Sequence, residues 1–198
     1  MEYQQVIHAR RSQYNLSRQI PISETELESL IDEAINTSPT AFNSRSSRII
    51  VVYGDEHEYV WSRVLAGIKR EIGEGPAFDR STAKINQLKD SYGTILFYEE
   101  TAITEDLMVR FPLYAHNFYK WADHSQGMLQ FNVWTTLANN GIGANLQHYS
   151  ELIAADLNKH FNLSTTWKLV AQMPFGVSLK QPDPVSPYEG DARLIVKK

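Results

Sequence analysis

The sequence has 198 residues, of which 42% are hydrophobic and 21% are charged, and its formal net charge at pH 7 is −4. These values are typical of one globular domain with a packed core, and the chain shows no basic stripe for nucleic acid, no apolar run near the roughly 18 residues that span a bilayer, and no secretory-signal pattern at its first residues. There is no cysteine, which excludes disulfides, thiol nucleophiles and cysteine-ligated metal sites and leads us to expect a cytoplasmic protein.

Helical and strand periods alternate along the first half of the chain. Residues 2–10 are predicted as a short helix, and Ser23 and Glu26 have the spacing of a capping box that starts a second helix. The other elements predicted before residue 112 are, in chain order, a strand at 48–53, a helix to about residue 72, a polar helix at about 78–90, a strand at 94–98 and a short helix near 105–111.

A long helical pattern from about His116 to Asn140 dominates the second half. Its apolar residues cover nearly the whole circumference towards its end, so we expect a buried central helix. The elements predicted after it are a short strand at 144–148, a helix at 150–161, a strand at 167–173 and a last strand at 192–196. A few strands among more helices, with no repeat and no linker, predict a single α+β domain over residues 1–198.

The most suggestive local motif is Arg10-Arg11-Ser12, at the end of the first predicted helix. Two guanidinium groups and a hydroxyl offer donors that match the oxygens of a phosphomonoester. The alternative is a solvated basic helix end, whose cations complement the helix dipole. The residues alone leave both interpretations open.

Two other groups of residues allow a functional and a structural interpretation. The polar loop at 43–46 is able to donate hydrogen bonds to a heterocycle, or it is an ordinary surface loop. The aromatic residues between 111 and 121 are able to cover a flat ligand, although core packing or a dimer contact is their more common role.

Several chemical classes find no support in the motifs. Gly141-Ile142-Gly143 follows a helix and lacks a third glycine, so it is not a dinucleotide-binding fingerprint. The six histidines show no paired spacing for a metal ion, and no nucleophile elbow of a hydrolase is present. Residue patterns by themselves therefore predict an α+β domain, and the only function that they suggest is the binding of a phosphorylated ligand.

Five segments, taken in order, resemble the nitroreductase family, and in particular its small subgroup that includes the fatty-acid-repression-mutant-type and copper-induced nitroreductases. The segments are RRSQY from Arg10, SPTAFNSRS from Ser38, WADHSQGM from Trp121, GIGANLQHY from Gly141, and PFG from Pro174 with a tail that contains Arg193. The resemblance implies a nitroreductase-like α+β fold: a central mixed β-sheet of about five strands surrounded by helices, a long buried central helix, and a C-terminal strand exchanged in a homodimer.

The resemblance also implies an FMN site that both subunits build. Arg10 and Ser12 are expected to hold the phosphate, with Arg11 nearby and Arg193 arriving from the C-terminal strand.

The ring of the cofactor is expected to meet residues of both chains. Asn43 and Arg45 would reach it from the partner subunit, and Phe118 and Trp121 would form the wall of the substrate pocket. The residues expected along the ring edge, with backbone groups near N5, are Leu146, Gln147 and His148.

The implied function is an oxidoreductase that uses FMN to move electrons from NAD(P)H to a nitroaromatic or quinone by ping-pong hydride transfer. The flavin carries the chemistry, so no protein residue is expected to be catalytic, and no metal is required. The alternative is a flavin-binding regulatory or stress-response protein with little turnover.

Overall fold

The computed structural model describes residues 2–180, 182, 185–186 and 188–198. The helices are α1 (Tyr3–Ala9), α2 (Glu24–Thr37), α3 (Gly54–Ile72), α4 (Pro76–Lys89), α5 (Thr101–Arg110), α6 (Phe118–Asn139) and α7 (Ser150–His160). The strands are β1 (Ser47–Tyr53), β2 (Gly93–Glu100), β3 (Gly143–Ala144) and β4 (Trp167–Gly176). Short 3-10 turns at Ala41–Asn43 and Pro112–Asn117 precede β1 and α6. The predicted α+β architecture and the order of its elements up to residue 176 are confirmed.

The strands form one sheet in the order β1-β2-β4-β3, in which neighbours are antiparallel. The expectation of a mixed sheet of about five strands is therefore corrected: within the described part of the chain, the parallel pairing is one isolated bridge between Ser12 and Ala144. Residues 192–196 are exposed and form no strand, because a strand persists only where its backbone groups find a neighbour. The predicted strand at 144–148 is also corrected: β3 is Gly143–Ala144, so of the predicted residues only Ala144 lies in it, and Gln147 returns to the sheet only as an isolated bridge.

Helices cover both faces of the sheet. Successive residues of a strand point to opposite faces, so β2 supplies Ile95 and Phe97 to one core and Leu96 and Tyr98 to the other. The first core includes residues of α2 and α6, namely Leu27, Ile31, Leu129, Val133 and Leu137. The second core includes residues of α3, α4 and α7, namely Val60, Trp61, Ile85, Leu88, Ile153 and Leu157.

The start of α2 follows from its capping residue. The Glu26 amide donates to the Ser23 hydroxyl oxygen at 3.2 Å, and the helix begins at Glu24. Such a cap satisfies one of the free N–H groups at the first turn and stabilises a helix by about 1 kcal/mol.

A buried histidine fixes α3 to the sheet. His57 Nδ1 lies 2.8 Å from the Thr94 hydroxyl, and its Nε2 lies 3.1 Å from the Lys89 carbonyl oxygen. Trp61 Nε1 donates to the same hydroxyl at 2.9 Å. The Lys89 carbonyl requires a proton on Nε2, and in the neutral ring Nδ1 then accepts from the Thr94 hydroxyl. Burial lowers the pKa of His57 to about 4.

α6 is central, but it is not buried on all sides as its apolar composition led us to expect. Leu129, Val133 and Leu137 face the first core, whereas Met128 and Phe131 are 43% and 41% exposed. An apolar pattern predicts that a side chain is covered, but it does not indicate whether the covering surface belongs to the same chain.

Candidate functional site

The segment after α1 runs beside β3 and joins the amino terminus to the sheet. Ser12 bridges Ala144, and the Gln13 amide donates to the Ala144 carbonyl at 2.9 Å. The Asn145 side chain returns a hydrogen bond to the Gln13 carbonyl at 2.8 Å. These bonds place the Arg10-Arg11-Ser12 motif next to the segment that follows β3, although more than 130 residues separate them in sequence.

Arg10 is a cation that has no anionic partner among the residues that the structure describes. Its guanidinium lies 4.5 Å from the centre of the Trp134 ring, and its Nε is buried without a hydrogen bond. Among the described residues it forms no ion pair. Burial and then the charge of Arg11 lower the pKa of Arg10 below its usual value. A partly desolvated guanidinium of this kind fits an anionic ligand oxygen.

Arg11 and Ser12 have different surroundings from Arg10. Arg11 lines a cavity of about 490 Å³ together with His8, Gln13 and Gly143. Ser12 is exposed, and its neighbourhood is fixed by its bridge to β3. Of the predicted phosphate ligands, Arg10 and Ser12 therefore lie on one short segment at the β3 edge.

In the segment after β3, backbone N–H groups that donate to β4 alternate with N–H groups that do not. The amides of Asn145 and Gln147 donate inward, to the Pro174 and Gln172 carbonyl oxygens. The amides of Leu146 and His148 form no hydrogen bond within the described part of the chain. The Gln147 side chain is buried and donates to Asn145 Oδ1 at 2.7 Å. The N–H groups available to a ligand are therefore those of Leu146 and His148.

The loop that contains Asn43 and Arg45 has an unusual backbone. Phe42, Asn43 and Arg45 all have positive φ angles, of 55°, 50° and 49°. Residues other than glycine adopt this conformation at a cost, and it concentrates at binding sites. Arg45 Nε donates to Asn43 Oδ1 at 3.3 Å, and both side chains line a cavity of about 220 Å³ with Arg48.

An aromatic cluster lies beside this loop. The Phe42 ring is 48% exposed and lies 4.8 Å from Phe111, 5.2 Å from Phe118 and 5.9 Å from Trp121, measured between ring centres. Phe42 and Trp121 line a cavity of about 410 Å³ with His124 and Met128. Phe118 is only 2% exposed and supports these rings from behind.

The structure does not bring every predicted site residue together within one chain. Arg193 lies in the exposed carboxyl-terminal segment, with its guanidinium 5.2 Å from the centre of the Tyr188 ring. Asn43 and Arg45 line their own cavity, apart from the segment that carries Arg10 and Ser12.

Two features of the site were not predicted from the sequence. Phe42 forms the centre of the aromatic cluster, and Asn145 locks the amino-terminal segment to β3. The positive φ of Phe42 has no sequence signal, because only glycine and, less strongly, asparagine announce that conformation. Asn145 lies in the GIGANLQHY segment, and the resemblance of that segment does not indicate the role of this side chain.

Two absences concern the described residues. Among them, no three histidine, aspartate or glutamate side chains come close enough to hold a metal ion. None of their helices has the length and apolar character that a bilayer crossing requires.

The fold and the site define an α+β protein in which the β3 edge carries a guanidinium without an ion pair and two backbone N–H groups without an acceptor among the described residues, and in which an aromatic cavity lies beside the loop before β1. The model of the nitroreductase family matches residues 7–177. The chain belongs to the nitroreductase family, a family of oxidoreductases.

Relatives and solved structures support this membership over the whole chain. It is 31% identical to putative nitroreductase HBN1 of Saccharomyces cerevisiae over 97% of this chain and 96% of that one. It is 29% identical to nitroreductase FRM2 of the same yeast over 91% of this chain and 90% of that one. Nitroreductase CinD from Lactococcus lactis, solved with chloramphenicol, is 37% identical with a TM-score of 0.87 over 100% of both chains. A nitroreductase from Desulfitobacterium hafniense solved with bound FMN shares the fold, at 17% identity and a TM-score of 0.72 over 98% and 97%.

Proposed function

We propose that the chain is a homodimeric, FMN-dependent oxidoreductase that takes electrons from NAD(P)H and passes them to a nitroaromatic or quinone in a ping-pong cycle. The observation that carries the proposal is the Arg10 guanidinium, which has no ion pair among the described residues and lies beside a strand edge where two N–H groups have no acceptor among them. FMN supplies the redox chemistry when it is bound. The residues of the chain hold the cofactor and orient the reactants.

The phosphate end of the cofactor is assigned to Arg10 and Ser12. The half-buried guanidinium of Arg10, whose Nε has no hydrogen-bond partner among the described residues, would donate a charge-assisted hydrogen bond to a phosphate oxygen, and Ser12 adds a neutral donor on the same segment. Arg11 and Arg193 are assigned to the surroundings of the phosphate, the latter through the carboxyl-terminal strand that we expect to be exchanged in the dimer.

The ring edge is assigned to the segment after β3. The amides of Leu146 and His148 point away from β4 and are free to donate to ring acceptors. Gln147 keeps the segment in place through its bonds to Asn145 and Gln172.

The partner subunit is expected to complete the ring site with Asn43 and Arg45. Both residues belong to the strained loop before β1, and their side chains are already joined by a hydrogen bond. The fixed charge of Arg45 would stabilise the negative charge that accumulates on a reduced ring.

The electron acceptor is assigned to the aromatic cavity. Trp121 lines it and Phe118 supports it from behind. Flat, electron-poor rings stack well on such side chains, and the related CinD binds chloramphenicol and 4-nitrophenol in its solved complexes. The nicotinamide ring of NAD(P)H is also flat and fits the same cavity. In the proposed ping-pong cycle, the nicotinamide therefore binds first and leaves, and the nitroaromatic or quinone then takes its position.

Absorbance of the flavin tests this proposal directly. The purified protein is mixed with FMN without oxygen, then with NADH or NADPH, and then with a nitroaromatic such as chloramphenicol. We expect the flavin absorbance to bleach with the nucleotide and to return with the acceptor, over repeated cycles. A protein that stays colourless after FMN is supplied contradicts the assignment, and binding with slow turnover favours the regulatory alternative.

A further inference from the structure

His148 lies where the segment assigned to the flavin ring meets a second cavity. Its backbone N–H has no acceptor among the described residues, as is also true of Leu146. His148 is exposed, and it lines a cavity of about 360 Å³ between β4 and the first turns of α6 and α7. One residue therefore has its backbone at the assigned ring edge and its imidazole beside a space that the proposed function leaves without a role.

The imidazole of His148 is available for chemistry. It forms no hydrogen bond and no ion pair with the part of the chain that the structure describes. By contrast, His57 is held between Thr94 and Lys89, and His160 Nε2 lies 2.6 Å from Glu56 Oε2. Those two rings are engaged in structural contacts, whereas the ring of His148 is not.

The cavity beside His148 is polar and opens to solvent. The titratable groups that line it come from β2, α6, α7, β4 and the residue before α7, namely Glu99, Tyr119, Asp123, Tyr149, Glu151 and Lys168. Glu99 is 4% exposed, whereas Asp123, Glu151 and Lys168 are exposed. Carboxylates are electrostatic partners for an imidazolium, and water that enters the cavity replaces a proton that the ring gives away.

The proposed reaction consumes one proton for each two-electron step of the acceptor. When a nitro group becomes a nitroso group, it takes up one hydride equivalent, which the reduced cofactor supplies, and one proton; an N–O bond breaks and water leaves. A quinone takes up the same pair and becomes a hydroquinone. The preceding transfer from NAD(P)H moves a hydride alone and takes no proton from the protein. A proton donor therefore acts only in the second half of the cycle.

We infer that His148 is the proton donor to the electron acceptor. Because its backbone lies at the ring edge, an acceptor that reaches the ring comes within range of its side chain. The imidazole N–H gives its proton to an oxygen of the nitro group or quinone, and water in the cavity returns one. Imidazole suits this step, since its unperturbed titration falls between about pH 5 and 8. The inference rests on the proposed function and assigns a step that the sequence analysis expected of no residue.

His124 is the alternative donor, because it lines the aromatic cavity assigned to the acceptor. No other titratable side chain of the described residues lines that cavity. An imidazolium at His124 therefore has no carboxylate partner within its cavity, whereas His148 shares its cavity with three carboxyl groups. The geometry favours His148, and His124→Gln is included in the test.

Rapid mixing separates the two halves of the cycle. The FMN-loaded proteins are reduced with one equivalent of NADH and are then mixed, without oxygen, with chloramphenicol. At pH 6, His148→Gln should be reoxidised about 100-fold more slowly than the wild type, the contribution of a general acid. It should also lose the decrease in rate that the wild type shows between pH 6 and pH 9. Reduction by NADH should be unchanged, and His160→Gln should match the wild type in both halves.

Two further measurements exclude a merely structural effect. Ferricyanide accepts an electron without a proton, so it should reoxidise His148→Gln as fast as the wild type. Carbon-13 NMR of Cε1-labelled histidine detects contact without turnover: 4-nitrophenol, added to the oxidised FMN-loaded protein, should shift the His148 signal and leave the His160 signal in place. The spectrum of His148→Gln identifies the His148 signal.

The outcomes separate this inference from the proposed function. Reoxidation of His148→Gln by chloramphenicol at the wild-type rate over the whole pH range overturns the inference and leaves the function standing. Equal slowing with ferricyanide, or transfer of the effect to His124→Gln, overturns it as well. A wild-type protein that binds no FMN overturns both.

Discussion

At the level of single residues, Arg10 links the fold to the ligand. Its free Nε and its position against the Trp134 ring leave its charge uncompensated within the described residues. We expect Arg10→Ala to weaken FMN binding by about 1.5–3 kcal/mol, the contribution of a hydrogen bond to a charged group. Fluorescence titration of FMN measures the change. Arg80→Ala removes the same charge from an exposed site on α4 and is the control; equal affinity of the two variants would show that the phosphate assignment is wrong.

His57 makes the stability of the protein depend on pH. Its pKa in the fold is about 4, against 6.5 for the free side chain. As the pH falls below about 6.5, His57 becomes protonated in the unfolded chain, whereas in the folded chain it stays neutral until about pH 4. The free energy of unfolding therefore decreases over this window. The total loss is about 3 kcal/mol.

Urea unfolding at pH 7 and at pH 4.5 measures this effect. His57→Asn retains an acceptor for the Thr94 hydroxyl but does not titrate, so it should lose less stability than the wild type between the two pH values. His160→Asn removes a histidine that pairs with Glu56 outside the two cores, and its urea unfolding at pH 7 is the control for the loss of a histidine side chain as such. A wild-type slope in His57→Asn would contradict the assignment.

At the level of elements, Gln126 fixes α6 to the sheet. Its buried amide nitrogen lies 3.1 Å from the Ser47 hydroxyl, 2.8 Å from the Tyr98 carbonyl and 3.0 Å from Glu99 Oε2. Glu99 is itself buried, and its other oxygen accepts from Thr104 at 2.8 Å. The side-chain amide of Gln126 is therefore one of the uncharged hydrogen-bond donors to the buried carboxyl group of Glu99.

Replacement of this amide should destabilise the fold. We expect Gln126→Met, which is of similar size, to lower the free energy of unfolding by about 2–3 kcal/mol, because Glu99 Oε2 and the Tyr98 carbonyl lose the hydrogen bond from Gln126. Gln126→Glu should cost more, because it places a second carboxyl group beside Glu99. Chemical denaturation measures both variants, and Gln4→Met, at an exposed position of α1, is the control. Unchanged midpoints would mean that the network contributes nothing.

Elements with a strong local signal were predicted well, and those that depend on a neighbour were not. The Ser23 cap and the spacing of Leu27 and Ile31 gave α2 its correct start and face. Of the strand predicted at 144–148, only Ala144 belongs to β3, because the extent of this strand depends on which residues of β4 lie opposite. Its amides still alternate inward and outward, through the bridge at Gln147.

At the level of the whole molecule, the carboxyl-terminal segment is exposed in the single chain. Leu194, Ile195 and Val196 are apolar and have no cover. We expect deletion of residues 191–198 to leave the thermal midpoint of the protomer nearly unchanged, but to weaken FMN binding and dimer formation by about tenfold or more each, because the segment is assigned to the second subunit.

Arg193→Ala separates the two roles of this segment. If the arginine acts only at the phosphate, this variant weakens FMN binding and keeps the dimer intact. Sedimentation and FMN titration of the deletion and of the point variant provide the comparison. A deletion that alters neither quantity would remove the segment from the site.

The sequence by itself determined the family, the α+β class, most helix and strand positions, and the candidate residues, because caps, periodicity and ordered motifs are local properties of the chain. Only the tertiary structure decided that Arg10 has no ion pair and that Leu146 and His148, unlike Gln147, have amides without an acceptor, in each case among the described residues. It also decided that Phe42 is the centre of the aromatic cluster and that Met128 and Phe131 of α6 are exposed. The physical reason is that burial, hydrogen-bond pairing and backbone strain depend on which distant residues meet, and spacing along one chain does not contain that information.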